Sequence, residues 1–127
     1  MTDCLDAWAV LRWLTGVEPA ASRVDLALAG RPVMSWINLG EVSYIIDRKE
    51  GELRAREVLR ELRQGLNLDL PTEARIRQAA LIKARHPISY AGAFALATAV
   101  AHNANLLTGD PGILDRGDPS WVTEDLR

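Results

Sequence analysis

Candidate strands alternate with predicted helices along the whole chain, and this alternation constrains the fold more than any other feature of the sequence. The candidate strands are TDCLD, RPVMSW, LNLDL and ANLLTGD, followed by SWVTEDL as a last edge strand. Stretches with apolar residues at helical spacing separate the first four. This order predicts an α/β domain with a central, mostly parallel sheet and helices on both faces.

The predicted helices carry recognisable start and stop signals. AWAVLRWLTG ends at Gly16, and EPAASRVDLALAG has Pro19 in its first turn and Gly30 after its end. Ser89 is a good N-cap for ISYAGAFALATAV, which is apolar nearly all round, as a buried helix should be. The other predicted helices are INLGEVSYIIDRKEG, ELRAREVLRELRQG and TEARIRQAALIKARHP.

Length and composition favour one ordinary globular domain over residues 1–127. The chain is 48% hydrophobic and 25% charged, and its net charge of -2 neither announces nor excludes a nucleic-acid partner. Its longest apolar stretch is too short to span a bilayer, so no membrane association is expected. The acidic N-terminus and the single cysteine, Cys4, predict a cytoplasmic protein without a signal peptide.

Three acids stand where a parallel sheet would bring them together. Asp6 ends the first strand, Asp110 ends the ANLLTGD strand, and Glu41 borders an apolar helix face. Each also has an ordinary explanation. Asp6 suits a helix N-cap and Asp110 suits a turn before Pro111. Glu41 could form a capping box with Asn38.

The combination of these acids is more informative than any one of them. Carboxylates that cluster without a basic neighbour are stable together chiefly around a divalent cation, and an all-oxygen set suits Mg²⁺ or Mn²⁺. A cation held in this way can polarise a phosphoryl oxygen and lower the pKa of water. The pattern therefore predicts metal-assisted hydrolysis of phosphodiester bonds.

These motifs resemble the PIN-domain ribonucleases, specifically the VapC-type toxins of VapBC toxin–antitoxin systems. The resemblance rests on CLDAWAVLRWL, INLGEVSYII and ISYAGAFALATAVAHNANLLTGD with their spacing, and covers essentially the whole chain. It implies a PIN-like three-layer α/β fold and a Mg²⁺- or Mn²⁺-dependent endoribonuclease that hydrolyses RNA. It also implies a cognate VapB-like antitoxin and, usually, a homodimer.

The resemblance also assigns roles to individual residues. Asp6, Glu41 and Asp110 would be the catalytic and metal-binding acids, with Thr108 as a supporting hydroxyl. The remaining acid of the family lies in a YADAF-like motif, which reads YAGAF here and places Gly92 at the acidic position. This vacant ligand position predicts weakened or absent nuclease activity in an intact fold.

Several explanations of this glycine stay open. It could be a natural weakening, an engineered inactivation of a toxic nuclease, or a residue required for close backbone packing. Asp115 or Asp118 could compensate for the missing acid. A second departure from the family is Ala7, at a position that often carries a hydroxyl. The alternative function is a catalytically silent PIN module that binds RNA or an antitoxin.

Basic residues supply candidate RNA contacts. Arg54, Arg56 and Arg60 lie in a segment with more basic than acidic residues, and Arg85 precedes the predicted buried helix. The competing interpretation of the segment is a solvated helix face with Glu–Arg pairs.

Two further features of the sequence, a pair of tryptophans and the residues around the last strand ends, bear on partners and on an alternative fold. Trp8 and Trp13 share a helix but not a face, so we expect core packing or a groove for an apolar antitoxin segment. A phosphoacceptor receiver domain would also place acids at strand ends. It would need a lysine near the last strand ends, and LLTGDPGILDRG has none.

Overall fold

The computed structural model describes residues 1–116 and 118–127, and its strands form one sheet in the order β3-β2-β1-β4-β5. All four described strand pairings are parallel. The strands are β1 (Asp3–Leu5), β2 (Val33–Ser35), β3 (Asn67–Asp69), β4 (Asn105–Thr108) and β5 (Val122–Asp125). The predicted α/β architecture is confirmed, and the last strand lies at an edge as expected.

The helices follow the predicted order, with small differences at their ends. They are α1 (Ala7–Leu14), α2 (Ala20–Ala29), α3 (Trp36–Glu50), α4 (Glu52–Gly65), α5 (Glu73–Arg85), α6 (Tyr90–Ala101) and the unpredicted four-residue α7 (Pro111–Leu114). The prediction that Trp36 belongs to the second strand is wrong, because Ser35 caps α3 by accepting a hydrogen bond from the Ile37 amide. Pro19 precedes α2 rather than lying in its first turn.

Each face of the sheet packs against its own layer of helices, because successive strand residues point to opposite faces. Leu5, Met34 and Leu107 face one core, and Cys4, Val33 and Leu106 face the other. Helices α1 to α4 complete the first core and α6 completes the second, with α5 packed on the outer side of α6. The result is a three-layer domain.

Helix α6 confirms the prediction of a buried, uniformly apolar helix. Every residue from 92 to 99 is buried between the sheet and α5. Ser89 is its N-cap, as predicted, and accepts a hydrogen bond from the Gly92 amide at 3.0 Å. Within residues 1–116 and 118–127, no helix is long and apolar enough to cross a membrane.

The sheet has a topological switch point between β1 and β4. The chain runs outward from β1 through β2 and β3 on one side and from β4 to β5 on the other. Open α/β sheets form a crevice at such a point, outside the carboxyl ends of the strands. The register pairs Leu5 with Leu107, so Asp6 and Thr108 follow side by side at this crevice.

Candidate functional site

A cavity of about 150 Å³ lies at the switch point and collects the three predicted acids. We call it the acidic cleft. Its lining residues are Asp6, Ala7, Trp8, Asn38, Glu41, Ser89, Gly92 and Asp110. The acids come from the ends of β1 and β4 and from α3, segments that are distant in sequence, so the fold itself brings them to one place.

Asp6 is both a helix cap and a member of the cleft. One carboxylate oxygen accepts a hydrogen bond from the Ala9 amide at 2.8 Å, and the other accepts one from the Thr108 hydroxyl. The side chain is almost fully buried, with 4% exposed. Burial raises the pKa of Asp6 to about 7, and the charges of Asp110 and Glu41 act in the same direction, against the two hydrogen bonds. Among the described residues, no basic side chain forms a salt bridge with Asp6.

Thr108 connects the ends of the two central strands. Its buried hydroxyl donates to Asp6 and accepts a hydrogen bond from the Asp110 amide at 3.0 Å. Asp110 also caps α7, since its Oδ1 accepts a hydrogen bond from the Gly112 amide at 2.8 Å. This arrangement fixes the backbone that carries Asp110 relative to Asp6. It fits the supporting position expected for Thr108.

Glu41 is half-buried on α3 and faces the same cleft. Burial raises the pKa of Glu41, and the nearby Asp110 charge raises it further. The interpretation of Asn38 and Glu41 as a capping box is wrong, because Ser35 is the N-cap and Asn38 lies inside the helix. Glu41 is thus left without the structural role that its local sequence offered.

Asn38 is a cleft residue whose role the sequence analysis missed. Its Nδ2 donates a hydrogen bond to the Ala91 carbonyl at 2.9 Å, which fixes the orientation of the amide because a carbonyl only accepts. Its Oδ1 is buried and has no hydrogen-bond partner among the described residues. The NLGE pattern suggested a local capping box for Asn38. The hydrogen bond that Asn38 forms instead is with Ala91, 53 positions away in the sequence.

Gly92 forms part of the cleft wall at the start of α6, where the vacant position was predicted. A Cβ atom at Gly92 would lie 2.8 Å from Ile88 Cγ2 and 3.1 Å from Ser89 Oγ. Any side chain here would therefore require Ile88 to move. These contacts support the packing explanation of Gly92. This explanation is compatible with the position of Gly92 in the wall of the acidic cleft.

The two acids considered as replacements do not line the cleft in the described part of the structure. Asp118 accepts hydrogen bonds from the amide and hydroxyl of Ser120. The Asp115 side chain is largely exposed. Ala7 does line the cleft, but its methyl group cannot form a hydrogen bond there.

The predicted RNA-contacting arginines lie outside the cleft. Arg54 pairs with Glu57 at 3.4 Å and Arg56 pairs with Glu52 at 2.7 Å, both on α4. Arg56 also lines a separate open cavity of about 510 Å³ with Arg60, Leu59, Arg63 and Gln64. Arg85 ends α5 and is exposed. In the described part of the chain, no residue of α4 lines the acidic cleft.

Trp8 is the tryptophan that borders the cleft. Its ring lies so close to the backbone of Gly109 that a Cβ atom there would overlap it. The Arg12 guanidinium lies 4.8 Å from the Trp8 ring centroid. Trp13 instead donates a hydrogen bond to Asp25 at 3.2 Å. Trp8 also lines two other cavities with Arg12, which places this one cationic side chain beside a residue of the cleft wall.

The oxygen atoms of the cleft are of the type that hard divalent cations accept as ligands. In the part of the chain that the structure covers, no three His, Cys, Asp or Glu side chains are grouped so that they could hold a metal ion by themselves. Asn38, which lines the same cleft, carries a further oxygen that is uncharged and has no partner among the described residues. Carboxylate and amide oxygens, completed by water, are the ligands that Mg²⁺ accepts.

The chain belongs to the PIN domain family, whose model matches residues 4–118. VapBC2 of Rickettsia felis, solved with a DNA fragment from its promoter, covers all of both chains at a TM-score of 0.78 and 16% identity. DNA-bound VapBC of Salmonella typhimurium covers 98% of each at 0.77 and 18% identity. The sarcin-ricin loop cleaving toxin VapC20 of Mycobacterium tuberculosis gives 0.70 and 18% identity, over 87% of this chain and 91% of its own.

These similarities concern the fold. No curated protein matches the sequence significantly. The fold is nevertheless that of the VapC toxins over nearly the full length of the chain, and it places the acidic cleft at the strand ends of a PIN domain.

Proposed function

We propose that the chain is a VapC-type endoribonuclease toxin that depends on Mg²⁺ or Mn²⁺ and is weakened by glycine at position 92. The observation that carries this proposal is the meeting of Asp6, Glu41 and Asp110 in one cleft of a PIN domain. Perturbed acids in a cleft without a neutralising base are typical of functional sites.

The proposed reaction is hydrolysis of an RNA phosphodiester bond. Asp6, Glu41 and Asp110 would hold the cation, with Thr108 orienting the Asp6 carboxylate. When bound, Mg²⁺ or Mn²⁺ supplies charge neutralisation at the phosphoryl oxygens and activation of a water. Glu41 would help to hold the cation or to position the attacking water, because its carboxylate faces the cleft.

The substrate would be bound outside the cleft by cationic side chains. Arg54, Arg56, Arg60 and Arg85 stay candidates for contacts with RNA phosphates. Arg12 is a stronger one, because it covers Trp8 at the cleft border and has no salt-bridge partner among the described residues. We further propose a VapB-like antitoxin as partner, since several similar folds were solved as VapBC complexes. The family resemblance adds a homodimer to this proposal, and the single cysteine adds a cytoplasmic site of action.

A catalytically silent PIN module is the second candidate function. The missing acid at position 92 favours it, as does the lack of a self-sufficient three-residue metal cluster in the described chain. Such a module would bind RNA or the antitoxin through the same surface and would not cleave.

Restoring the carboxylate distinguishes the two functions. We expect Gly92→Asp to raise RNA cleavage in Mg²⁺ or Mn²⁺ by about 100-fold or more, since removing a single catalytic electrostatic group costs about that much. Gly92→Ala is the matched control, because it carries the same Cβ into Ile88 without the charge. Cleavage by Gly92→Asp should disappear with EDTA. A folded Gly92→Asp variant that stays silent would favour the binding module.

A further inference from the structure

Two buried side-chain atoms in the described structure have no hydrogen-bond partner, and one of them belongs to a residue that lines the acidic cleft. They are Asn38 Oδ1 and Thr98 Oγ1. Buried polar atoms without partners are uncommon, because such atoms lose their hydrogen bonds to water on folding. Thr98 lies within α6 and does not line the cleft, whereas Asn38 does. The Asn38 oxygen therefore needs an explanation in terms of what the cleft holds.

The position of this oxygen is fixed by its own amide group. Nδ2 is held by the Ala91 carbonyl at 2.9 Å, which leaves Oδ1 as the free end of a side chain that is 1% exposed. Ala91 directly precedes Gly92, so the Asn38 amide lies beside the vacant position. Bulk water does not reach Oδ1, and whatever satisfies it must be held inside the protein.

No described residue forms a hydrogen bond with the oxygen. Asp6, Glu41 and Asp110 are acceptors when ionised, as Oδ1 is, and acceptors do not bond one another. A cation with its waters serves all four groups at once. The cleft volume of about 150 Å³ leaves room for an ion with several waters, since a water occupies roughly 30 Å³ in the liquid.

We propose that Asn38 Oδ1 is a ligand of the divalent cation in the acidic cleft, held beside the position where Gly92 offers none. The inference rests on the proposed metal-dependent function. Amide oxygens are accepted ligands of hard cations, but a neutral oxygen binds them less strongly than a carboxylate. The site is therefore a weaker version of a four-acid site, with its fourth oxygen supplied by α3 instead of α6.

Mn²⁺ binding to the whole protein, measured by the electron paramagnetic resonance signal of free Mn²⁺, tests this assignment without any activity assay. Asn38→Leu keeps the approximate shape and removes the oxygen. We expect it to weaken Mn²⁺ binding by about 10- to 100-fold, as lost groups around metal sites do. Thr98→Val removes the other unpartnered atom and is the matched control, for which we expect unchanged affinity.

A second variant keeps the test decisive if Asn38→Leu does not fold. Asn38→Asp retains an oxygen and adds a charge, so it should bind Mn²⁺ more tightly than the wild type even though the bond to the Ala91 carbonyl is lost. Wild-type affinity in a folded Asn38→Leu variant would overturn the inference and leave the proposed function standing, and so would unchanged or weaker binding by Asn38→Asp. Absence of Mn²⁺ binding by the wild type would overturn the inference together with the proposed metal dependence.

Discussion

The acidic cleft at the carboxyl ends of the strands contrasts with a second group of acids at the amino ends of β1 and β4, which Glu124 of β5 reaches with its side chain. There, Arg23 bonds Glu124 at 2.8 Å and Asp3 at 3.2 Å, and Asn105 donates to Glu124 at 3.0 Å. We call these four residues the Arg23 cluster. Its carboxylates are neutralised by a cation of the protein itself, whereas Asp6, Glu41 and Asp110 are not within salt-bridge distance of any described basic side chain.

The pKa of Glu124 in the Arg23 cluster shifts in the opposite direction to those of Asp6 and Glu41 in the cleft. The hydrogen bond from Arg23 lowers the pKa of Glu124, while burial raises the pKa of Asp6 and of Glu41. Carboxyl-end position alone does not decide this. Asp69 ends β3, yet Arg75 at 2.7 Å and His102 at 2.8 Å hold its pKa below the usual value despite burial. The acids of the cleft therefore differ from Asp69 in lacking a neutralising basic side chain among the described residues, more than in their position on the sheet.

The largest effect on stability is expected from Asp6→Asn, which removes the uncompensated charge. Between about pH 4 and 7 the native protein keeps the Asp6 proton that the unfolded chain has released. The free energy of unfolding therefore falls with rising pH, by about 4 kcal/mol in total, and is level above this window. After discounting the lost hydrogen-bond acceptor, we expect Asp6→Asn to be about 2 to 3 kcal/mol more stable at pH 8.

Urea unfolding of both proteins at pH 4, 6 and 8 measures this difference. The variant should be about 1 to 2 kcal/mol less stable than the wild type at pH 4, because an acceptor is lost, and the difference should change sign as pH rises. A constant gap at all three pH values would show that Asp6 does not titrate in this window. The proposed difference in pKa shift between the acidic cleft and the Arg23 cluster would then be wrong.

Arg23→Met examines the other side of the comparison. It leaves Asp3 and Glu124 without their cation, and we expect a loss of about 1 to 2 kcal/mol at pH 7, limited by solvent screening of the half-exposed Glu124. Because the pKa of Glu124 is lowered in the native state, its contribution is present above pH 4 to 5 and is lost as pH falls.

The pH dependence of Arg23→Met is therefore opposite to that of Asp6→Asn. The variant should approach wild-type stability on acidification, as followed by thermal unfolding across the same pH range. Its Mn²⁺ affinity should equal that of the wild type, since the Arg23 cluster does not line the cleft. A marked loss of Mn²⁺ binding would mean that the two ends are coupled.

The smallest effect is expected from Thr108→Val, which removes the hydroxyl between the central strands. The amide of Asp110 loses its acceptor and Asp6 loses a donor, so we expect about 1 kcal/mol of destabilisation. In the wild type the hydrogen bond from Thr108 favours the charged carboxylate of Asp6, so the pKa of Asp6 should rise further when this bond is removed. Carboxyl carbon NMR titration reports this shift. Thr98→Val, which removes a hydroxyl without partners, should leave the Asp6 titration unchanged.

Local sequence patterns predicted the elements well and the cleft only in part. Ser89 as a cap and the apolar α6 could be predicted, because capping and burial act within a few residues. Asp6 and Asp110 could be brought together by the strand order alone. The bond from Asn38 to Ala91 and the bond from Thr108 to Asp6 span 53 and 102 positions. Nothing local encodes such contacts.

The arginines of α4 show the reverse problem. Their abundance suggested a surface for RNA beside the acids, but Arg56 pairs with Glu52 on its own helix and lines a different cavity. No sequence pattern indicates a role for Arg12, because a single arginine near a helix end is common. Only its position over Trp8 connects it with the cleft.

Urea unfolding at pH 8 with and without Mn²⁺ tests most directly whether the cleft carboxylates bind a divalent cation. A ligand that binds only the native state raises its stability by mass action. We predict that Mn²⁺ raises the unfolding midpoint of the wild-type protein and leaves that of Asp6→Asn nearly unchanged. An equal rise in both proteins, or no rise in the wild type, would contradict the assignment of this cleft as a metal site.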